Sequence, residues 1–218
     1  MKGDIAMQII ADKNTFKFGL HIENIKKYKF FLVLLIFMIF GMLFGAFAAR
    51  GTNELSDKLI ENWFNSFINF RKTSDFTSLF FNLYLSSFIF LILNGLSSFG
   101  ISGVVVLPIL ILIKGFGTCL ISGILYRDFS LSGIAFADLM ILPFNVTNCF
   151  LAVFLSGKGM KLSAEFIKTI NDVSAKGILL KPEVLIFLKK LLLCVLCSAV
   201  VSLVEAVFTI CFIKYFNF

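Results

Sequence analysis

The chain has 218 residues, of which 59% are hydrophobic and only 15% are charged, and its formal net charge is +7. A soluble domain is typically about 45–50% apolar and about 25% charged, so this composition excludes an ordinary water-soluble domain and indicates an integral membrane protein. The lysines flank apolar runs, which favours roles in membrane orientation and in contact with anionic lipid over nucleic-acid binding.

The polar, basic residues 1–29 form a predicted cytoplasmic arm in front of the first apolar run. That run, residues 30–49, is long enough to cross a bilayer and contains Gly41 and Gly45 at the spacing of a helix-packing face. The Ala46–Ala48 stretch imitates a signal-peptidase site. The run is longer than the about 7–15 apolar residues of a signal peptide, so we expect a retained span.

Residues 50–78 form a predicted loop that contains an amphipathic helix. Apolar side chains recur in this loop at intervals of three and four, with charged residues between them. Two interpretations stay open, because such a helix can rest on the bilayer or serve as a docking surface for another protein. The residues that define this predicted interface helix are Leu55, Leu59, Trp63 and Phe67.

Four further apolar runs complete a predicted all-α integral membrane protein, a bundle of five transmembrane helices with amphipathic interfacial helices. The fourth run holds a proline and two amides, which predicts a distorted helix whose freed carbonyl groups need neighbours. The membrane domain covers residues 30–218. Its remaining spans are residues 79–99, 103–126, 131–156 and 191–213. Residues 157–190 form a basic cytoplasmic loop with seven lysines, predicted to be helical from about Ser163 and broken at Pro182.

The distribution of basic residues predicts the orientation of the chain. The arm and the 157–190 loop together hold thirteen lysines, whereas the segments on the other side of the membrane hold six basic residues. The positive-inside rule therefore predicts a cytoplasmic amino terminus and an extracytoplasmic carboxyl terminus, with the 50–78 loop outside the cytoplasm.

Lys114 lies near the middle of the third predicted span, where a charge costs about 2.5–3.5 kcal/mol on insertion scales unless it meets a partner or a wet cavity. We predict that Glu205 in the fifth span is its ion-pair partner, because the two residues differ in depth by about 4–5 Å at 1.5 Å per residue. This pair has either a structural role or a place in an ion pathway. Further intramembrane polar residues are Asp138, Asn94, Asn145 and Asn148, and Gly115 and Gly117 join Gly41 and Gly45 as predicted helix-packing sites.

No pattern of residues indicates catalysis. The five cysteines all fall inside apolar runs, where we expect them to pack between helices and not to form disulfides. The single histidine, His21, lies in the basic arm, so a Ser-His-Asp or Cys-His set is hard to build. We predict a protein that is not an enzyme and has no cofactor or metal site.

Several stretches resemble the stage II sporulation protein M family of bacteria. The resemblance covers residues 30–213 and rests on FGMLFGAFAA, NGLSSFGISGVVVLPILILIKGFGTCLISGILY, ILPFNVTNCFLAVFLSGKGMKLS and the glutamate-containing SAVVSLVEAVFT. This chain departs from the family at Phe144, where relatives often carry another polar residue between the proline and the asparagine.

The resemblance implies a non-enzymatic scaffold in the bacterial cell membrane that recruits peptidoglycan-remodelling partners, the stage II sporulation proteins D and P, during engulfment in sporulation. The predicted external helix, or faces of the spans, would then contact these partners. The alternative is a small membrane transporter or permease subunit that uses Lys114 and Glu205 and works with a separate ATPase. The sequence indicates contact with the lipid bilayer and no nucleic-acid partner, and it leaves homo-oligomerisation open.

Overall fold

The structure is a computed structural model that describes residues 29–50, 54–171 and 180–215. These described residues form helices joined by short turns, and no strand occurs among them. Five of the helices are long and apolar enough to cross a membrane. The predicted fold class, an all-α membrane bundle, is therefore confirmed.

The helices follow one another with few residues between them. The portions that are long and apolar enough to cross a membrane are Lys29–Ala48, Phe76–Ser98, Gly103–Phe129, Leu131–Ile167 and Pro182–Tyr215. In chain order the elements are α1 (Lys29–Ala48), α2 (Glu54–Thr73), α3 (Phe76–Ser98), α4 (Gly103–Phe136), a π-helical segment (Ala137–Ile141), α5 (Leu142–Asn171), α6 (Leu180–Phe212) and a 3-10 turn (Ile213–Tyr215).

The last two helices are longer than the sequence indicated. Residues 157–190 were predicted as a loop that becomes helical from about Ser163 and breaks at Pro182, but α5 runs without a break to Asn171 and α6 begins at Leu180, ahead of that proline. Lysine is a good helix former, so a lysine-rich segment that leaves the membrane has no reason to stop being helical. Pro182 lies in the first turn of α6, where its missing N–H breaks no intrahelical hydrogen bond. The 1–28 arm lies outside the described residues, as do residues 172–179.

The chain reverses direction close to residue 130, within the residues assigned to α4, so the last turns of α4 and the π-helical segment already run back with α5. The Tyr126 hydroxyl donates a hydrogen bond to the Asp138 carboxylate, although residues twelve apart in a straight helix would be about 18 Å apart. Further along the hairpin, Thr118 Oγ1 lies 3.5 Å from Cys149 Sγ. Ser163 Oγ donates to the Gly100 carbonyl at 2.6 Å, so α5 returns along the whole length of α4.

The bundle has two ends and two apolar clusters. We call the end that holds Phe76, Phe129 and Tyr215 the α2 end, and the end that holds Lys29 and Ser98 the opposite end. A smaller cluster fills the α2 end, and a larger one fills the rest of the bundle. The smaller cluster includes Ile68, Ile124, Phe136, Ile141 and Ile213, and the larger includes Leu34, Leu91, Leu107, Ile111 and Val153.

α1 packs against α4 through glycine. A Cβ atom at Gly41 or Gly45 would collide with the backbone of Leu112 or Phe116, and a Cβ at Gly115 would lie 2.6 Å from the Met38 carbonyl oxygen. These small residues allow the two backbones to approach closely. The predicted packing role was wrong for Gly117, where a Cβ would meet nothing within 4 Å because this residue lines a cavity.

Candidate functional site

A cavity of about 530 Å³ lies inside the bundle between α3 and α4, with α2 beside it. Small-molecule sites in proteins usually measure about 300–1,000 Å³ and combine apolar walls with a few polar groups. The wall of this cavity has that mixed character. Its polar and charged lining residues are Ser66, Arg71, Asn82, Ser86, Ser87, Lys114, Thr118, Asn145, Asn148 and Glu205.

An ion pair between Arg71 and Glu205 forms one side of the cavity. Arg71 Nη2 donates to Glu205 Oε1 at 2.7 Å, and both side chains are only 4% exposed. Arg71 Nη1 also lies 3.4 Å from the Thr209 hydroxyl, and the guanidinium stands 4.6 Å from the centre of the Phe67 ring. Buried charges are tolerated when they are paired and hydrogen-bonded in this way.

The predicted partner of Glu205 was wrong, because its carboxylate binds Arg71 and not Lys114. Counting along the chain placed Arg71 in an external loop, where a cation on a helix surface is normally solvated. In the structure the last turns of α2 lie against the bundle, where Ile68 is buried, and the long arginine side chain reaches inward. Spacing indicates that Arg71 faces the bundle, since it follows Phe67 and Ile68 by four and three residues, but spacing does not indicate its partner.

Lys114 lies in the same cavity as the ion pair. Its ammonium group stands 5.2 Å from the centre of the Phe90 ring, a favourable cation–π contact. Among the residues that the structure describes, no carboxylate lies within ion-pair distance of Lys114. The charges of Arg71 and Glu205 cancel each other. When all three side chains are ionised, the cavity therefore has one excess positive charge, that of Lys114.

Two of the predicted amides join helices. Asn94 is fully buried, donates to the Phe90 carbonyl at 2.8 Å and accepts from the Ser156 hydroxyl at 2.7 Å, which connects α3 to α5. Asn148 accepts from Ser198 Oγ at 3.2 Å, which connects α5 to α6. Asn145 and Asn148 line the cavity and Asn94 does not, so only the first two can contact its contents.

Asp138 lies apart from the cavity, at the α2 end, in the π-helical segment before α5. In this segment the Leu142 N–H donates to the Ala137 carbonyl oxygen, five residues back. The next residue, Pro143, has no N–H to donate, which favours a local departure from α-helical hydrogen bonding. Phe144, at the position where the chain departs from the family, packs edge-on against Phe208 at 5.8 Å.

α2 turns one face toward the bundle and another away from it. Phe67 is half-buried, lines the cavity and packs against the smaller apolar cluster, so it does not project outward as an interface residue. The side chains of Leu55, Leu59 and Trp63 lie outside the described part of the structure. The outward face forms a line of exposed polar residues, which we call the α2 polar stripe: Lys58, Asn62, Asn65 and Asn69.

The cavity ends blindly inside the bundle. Its lining reaches as far as Phe90, Ile113 and Lys114. Toward the opposite end the neighbouring residues on these helices, Leu91 and Ile111, are buried in the larger apolar cluster. The cavity therefore does not continue through the bundle in this conformation.

Comparisons with protein-family models, with curated proteins and with solved structures find no match for this chain. The function proposed below therefore depends on the residues and their geometry.

Proposed function

We propose that the chain is a non-enzymatic membrane scaffold that recruits peptidoglycan-remodelling proteins during engulfment in sporulation. The observation on which this rests is the Arg71–Glu205 ion pair, because it fixes α2 to the bundle while the α2 polar stripe stays exposed. A helix held in this way presents a preorganised surface, which lowers the entropic cost of binding a partner. The proposed partners are the stage II sporulation proteins D and P.

The distribution of basic residues along the whole sequence supports an orientation with the α2 end facing the cell wall. Thirteen lysines lie in the 1–29 arm and the 157–190 segment, against six basic residues in the segments of the other side, so the positive-inside rule assigns the opposite end to the cytoplasm. The α2 end, where the proposed partners would bind, then lies outside the bacterial cell membrane. The described lysines of the opposite end are Lys29, Lys158, Lys161, Lys189 and Lys190.

The stretches that resemble the stage II sporulation protein M family add support, because they build the features described above. FGMLFGAFAA supplies the α1 face that packs on α4. The IKGFGT stretch places Lys114, Gly117 and Thr118 along the cavity. The family-like residues therefore belong to one connected part of the bundle.

Site-directed photo-crosslinking in engulfing cells tests this proposal. A photo-reactive amino acid at Asn65 or Asn69, on the α2 polar stripe, should capture one of the two sporulation proteins. The control places the same amino acid at Lys161, which has a 58% exposed side chain at the opposite end. Absence of both proteins from the Asn65 and Asn69 adducts, in cells where all three proteins are present, would contradict the proposal.

A transporter or permease subunit is the second candidate, and the charged cavity is the observation that favours it. A transport cycle must expose a central site to each side of the membrane in turn. Gly117→Cys, in a chain whose native cysteines are replaced, provides a thiol in the cavity wall. Reaction with a membrane-impermeant reagent from both sides would support transport, whereas reaction from one side at most is the result we expect for a scaffold.

A further inference from the structure

The cavity opens sideways, toward the lipid, between α3 and α4. Ile113 lines the cavity and is 55% exposed on the outer surface of α4. On α3, Asn82 and Ser86 line the same cavity and are also exposed. Ser86 lies ten residues after Phe76, the first residue of α3, which corresponds to a depth of about 15 Å. Polar side chains at such a depth normally face protein or a wet cavity and not hydrocarbon.

The contents of this cavity must suit its charge. Lys114 supplies a positive charge that the described carboxylates do not neutralise, and it lies eleven residues into α4. A single negative charge beside its ammonium group would bring the cavity to neutrality. A doubly charged anion would leave a negative charge unpaired at low dielectric, which is unfavourable.

The size of the cavity favours a small occupant. It measures about 530 Å³, within the range of about 300–1,000 Å³ that small-molecule sites occupy. A small polar head group fits this volume, and an apolar tail would leave through the opening between α3 and α4.

We propose that the cavity binds the singly charged phosphodiester of a phospholipid, with a phosphate oxygen on the Lys114 ammonium group. Ser87 and Asn145 line the cavity and supply further hydrogen-bond donors for the phosphate oxygens. A free monoanion such as acetate or dihydrogen phosphate shares this chemistry and would bind the same lysine. The site does not depend on the scaffold function, so either proposal can fail without the other.

Native mass spectrometry of the full chain in mild detergent tests the site. Wild-type protein should retain about one phospholipid per chain, as expected for a cavity of this size. Lys114→Met should lower lipid occupancy about tenfold or more, because it removes a charge-assisted hydrogen bond. Lys114→Arg should keep the lipid. Gly117→Leu should displace it by filling the cavity while leaving every charge in place.

Lys161→Met is the matched control, because it removes one lysine from the opposite end and should leave lipid occupancy unchanged.

Delipidated protein titrated with acetate or dihydrogen phosphate separates the two sources of anion. The site would be assigned to a free anion if wild-type protein retains no lipid in native mass spectrometry and if the added anion stabilises wild type but not Lys114→Met. Equal lipid occupancy in wild type, Lys114→Met and Gly117→Leu would overturn the proposal. The lipid proposal would also be overturned if Lys114→Met loses a bound partner protein while its lipid content stays unchanged. That result would indicate that a carboxylate of the partner protein binds Lys114.

Discussion

At the scale of single residues, the main finding is that Glu205 has a partner from outside the apolar spans. Arg71 and Glu205 are both buried, and their side chains meet at 2.7 Å. Such a pair gains little over an apolar pair of the same volume, but removing only one member leaves a buried charge without compensation. The pair therefore fixes where α2 lies more than it adds to overall stability.

Arg71→Met should destabilise the protein by about 3–5 kcal/mol, because Glu205 would remain buried without its cation. The expected result is a lower thermal unfolding midpoint in detergent, measured at a fixed scan rate. Arg71→Met combined with Glu205→Gln should recover most of the loss, since neither charge is then left alone. Equal midpoints for wild type and Arg71→Met would show that the ion pair does not fix α2.

Gly115 and Gly117 offer a matched pair of substitutions two residues apart. Gly115→Ala should destabilise the protein by about 1–3 kcal/mol, because its Cβ would press on the Met38 carbonyl of α1. Gly117→Ala should be neutral or stabilise by up to about 1 kcal/mol, since alanine favours the helix and the Cβ enters open space. The thermal unfolding midpoints of the two variants check this, and the reverse order would contradict the assigned packing.

At the scale of elements, α1 and α4 form a close backbone contact that glycines on both helices mark. Gly41 and Gly45 lie one turn apart on α1 and face the α4 backbone, whereas Phe44 between them is 59% exposed on the outer surface. Lipid is as apolar as a leucine side chain, so close van der Waals packing and not hydrophobic burial holds such helices together. Side-chain volume on this one face of α1 is therefore critical.

Gly41→Ile should separate α1 from α4, because the added side chain cannot fit against the Leu112 backbone. We expect lower yield of monodisperse protein and a lower unfolding midpoint, with a loss of at least about 1–3 kcal/mol from overpacking. Phe44→Ile places the same side chain on the lipid-facing surface and serves as the control. Equal effects of the two substitutions would show that the α1–α4 contact is not as described.

The spans could be predicted from the sequence because apolar length alone distinguishes them, and the helical hairpin of α4 and α5 follows from their spacing. The site could be predicted only in part. Lys114, Glu205, Asn145 and Asn148 were identified as polar residues within apolar runs, and all four line the cavity. Arg71 was missed, because its helix is amphipathic and its contact with Glu205 spans 134 residues of sequence. Pairing between distant helices depends on tertiary packing, which no local pattern encodes.

At the scale of the whole molecule, the two ends of the bundle differ in structure as well as in charge. The larger apolar cluster fills the bundle from the opposite end as far as the floor of the cavity, whereas the α2 end contains the cavity and the smaller cluster. This asymmetry is compatible with a protein that presents a binding surface on one side and anchors itself on the other.

Reporter fusions test the orientation. Alkaline phosphatase joined after Phe218 should be active, and green fluorescent protein at the same position should be dark, because we expect this position to lie outside the cytoplasm. The same two reporters inserted after Asn171 should give the reverse result, because lysines flank that insertion point. Cytoplasmic activity of the Phe218 fusion would invert the topology and remove the α2 polar stripe from the wall side.

The distance in sequence between the two charges of the ion pair has a consequence for biogenesis. Arg71 is synthesised long before Glu205, and its carboxylate partner arrives only with α6. Until α6 inserts, α2 lacks the anchor that holds it to the bundle, and its exposed stripe has no fixed position. A chain in which α6 has not inserted thus differs from one with α6 in place at the surface that a partner would recognise, so the proposed recruitment would be restricted to molecules that contain an inserted α6.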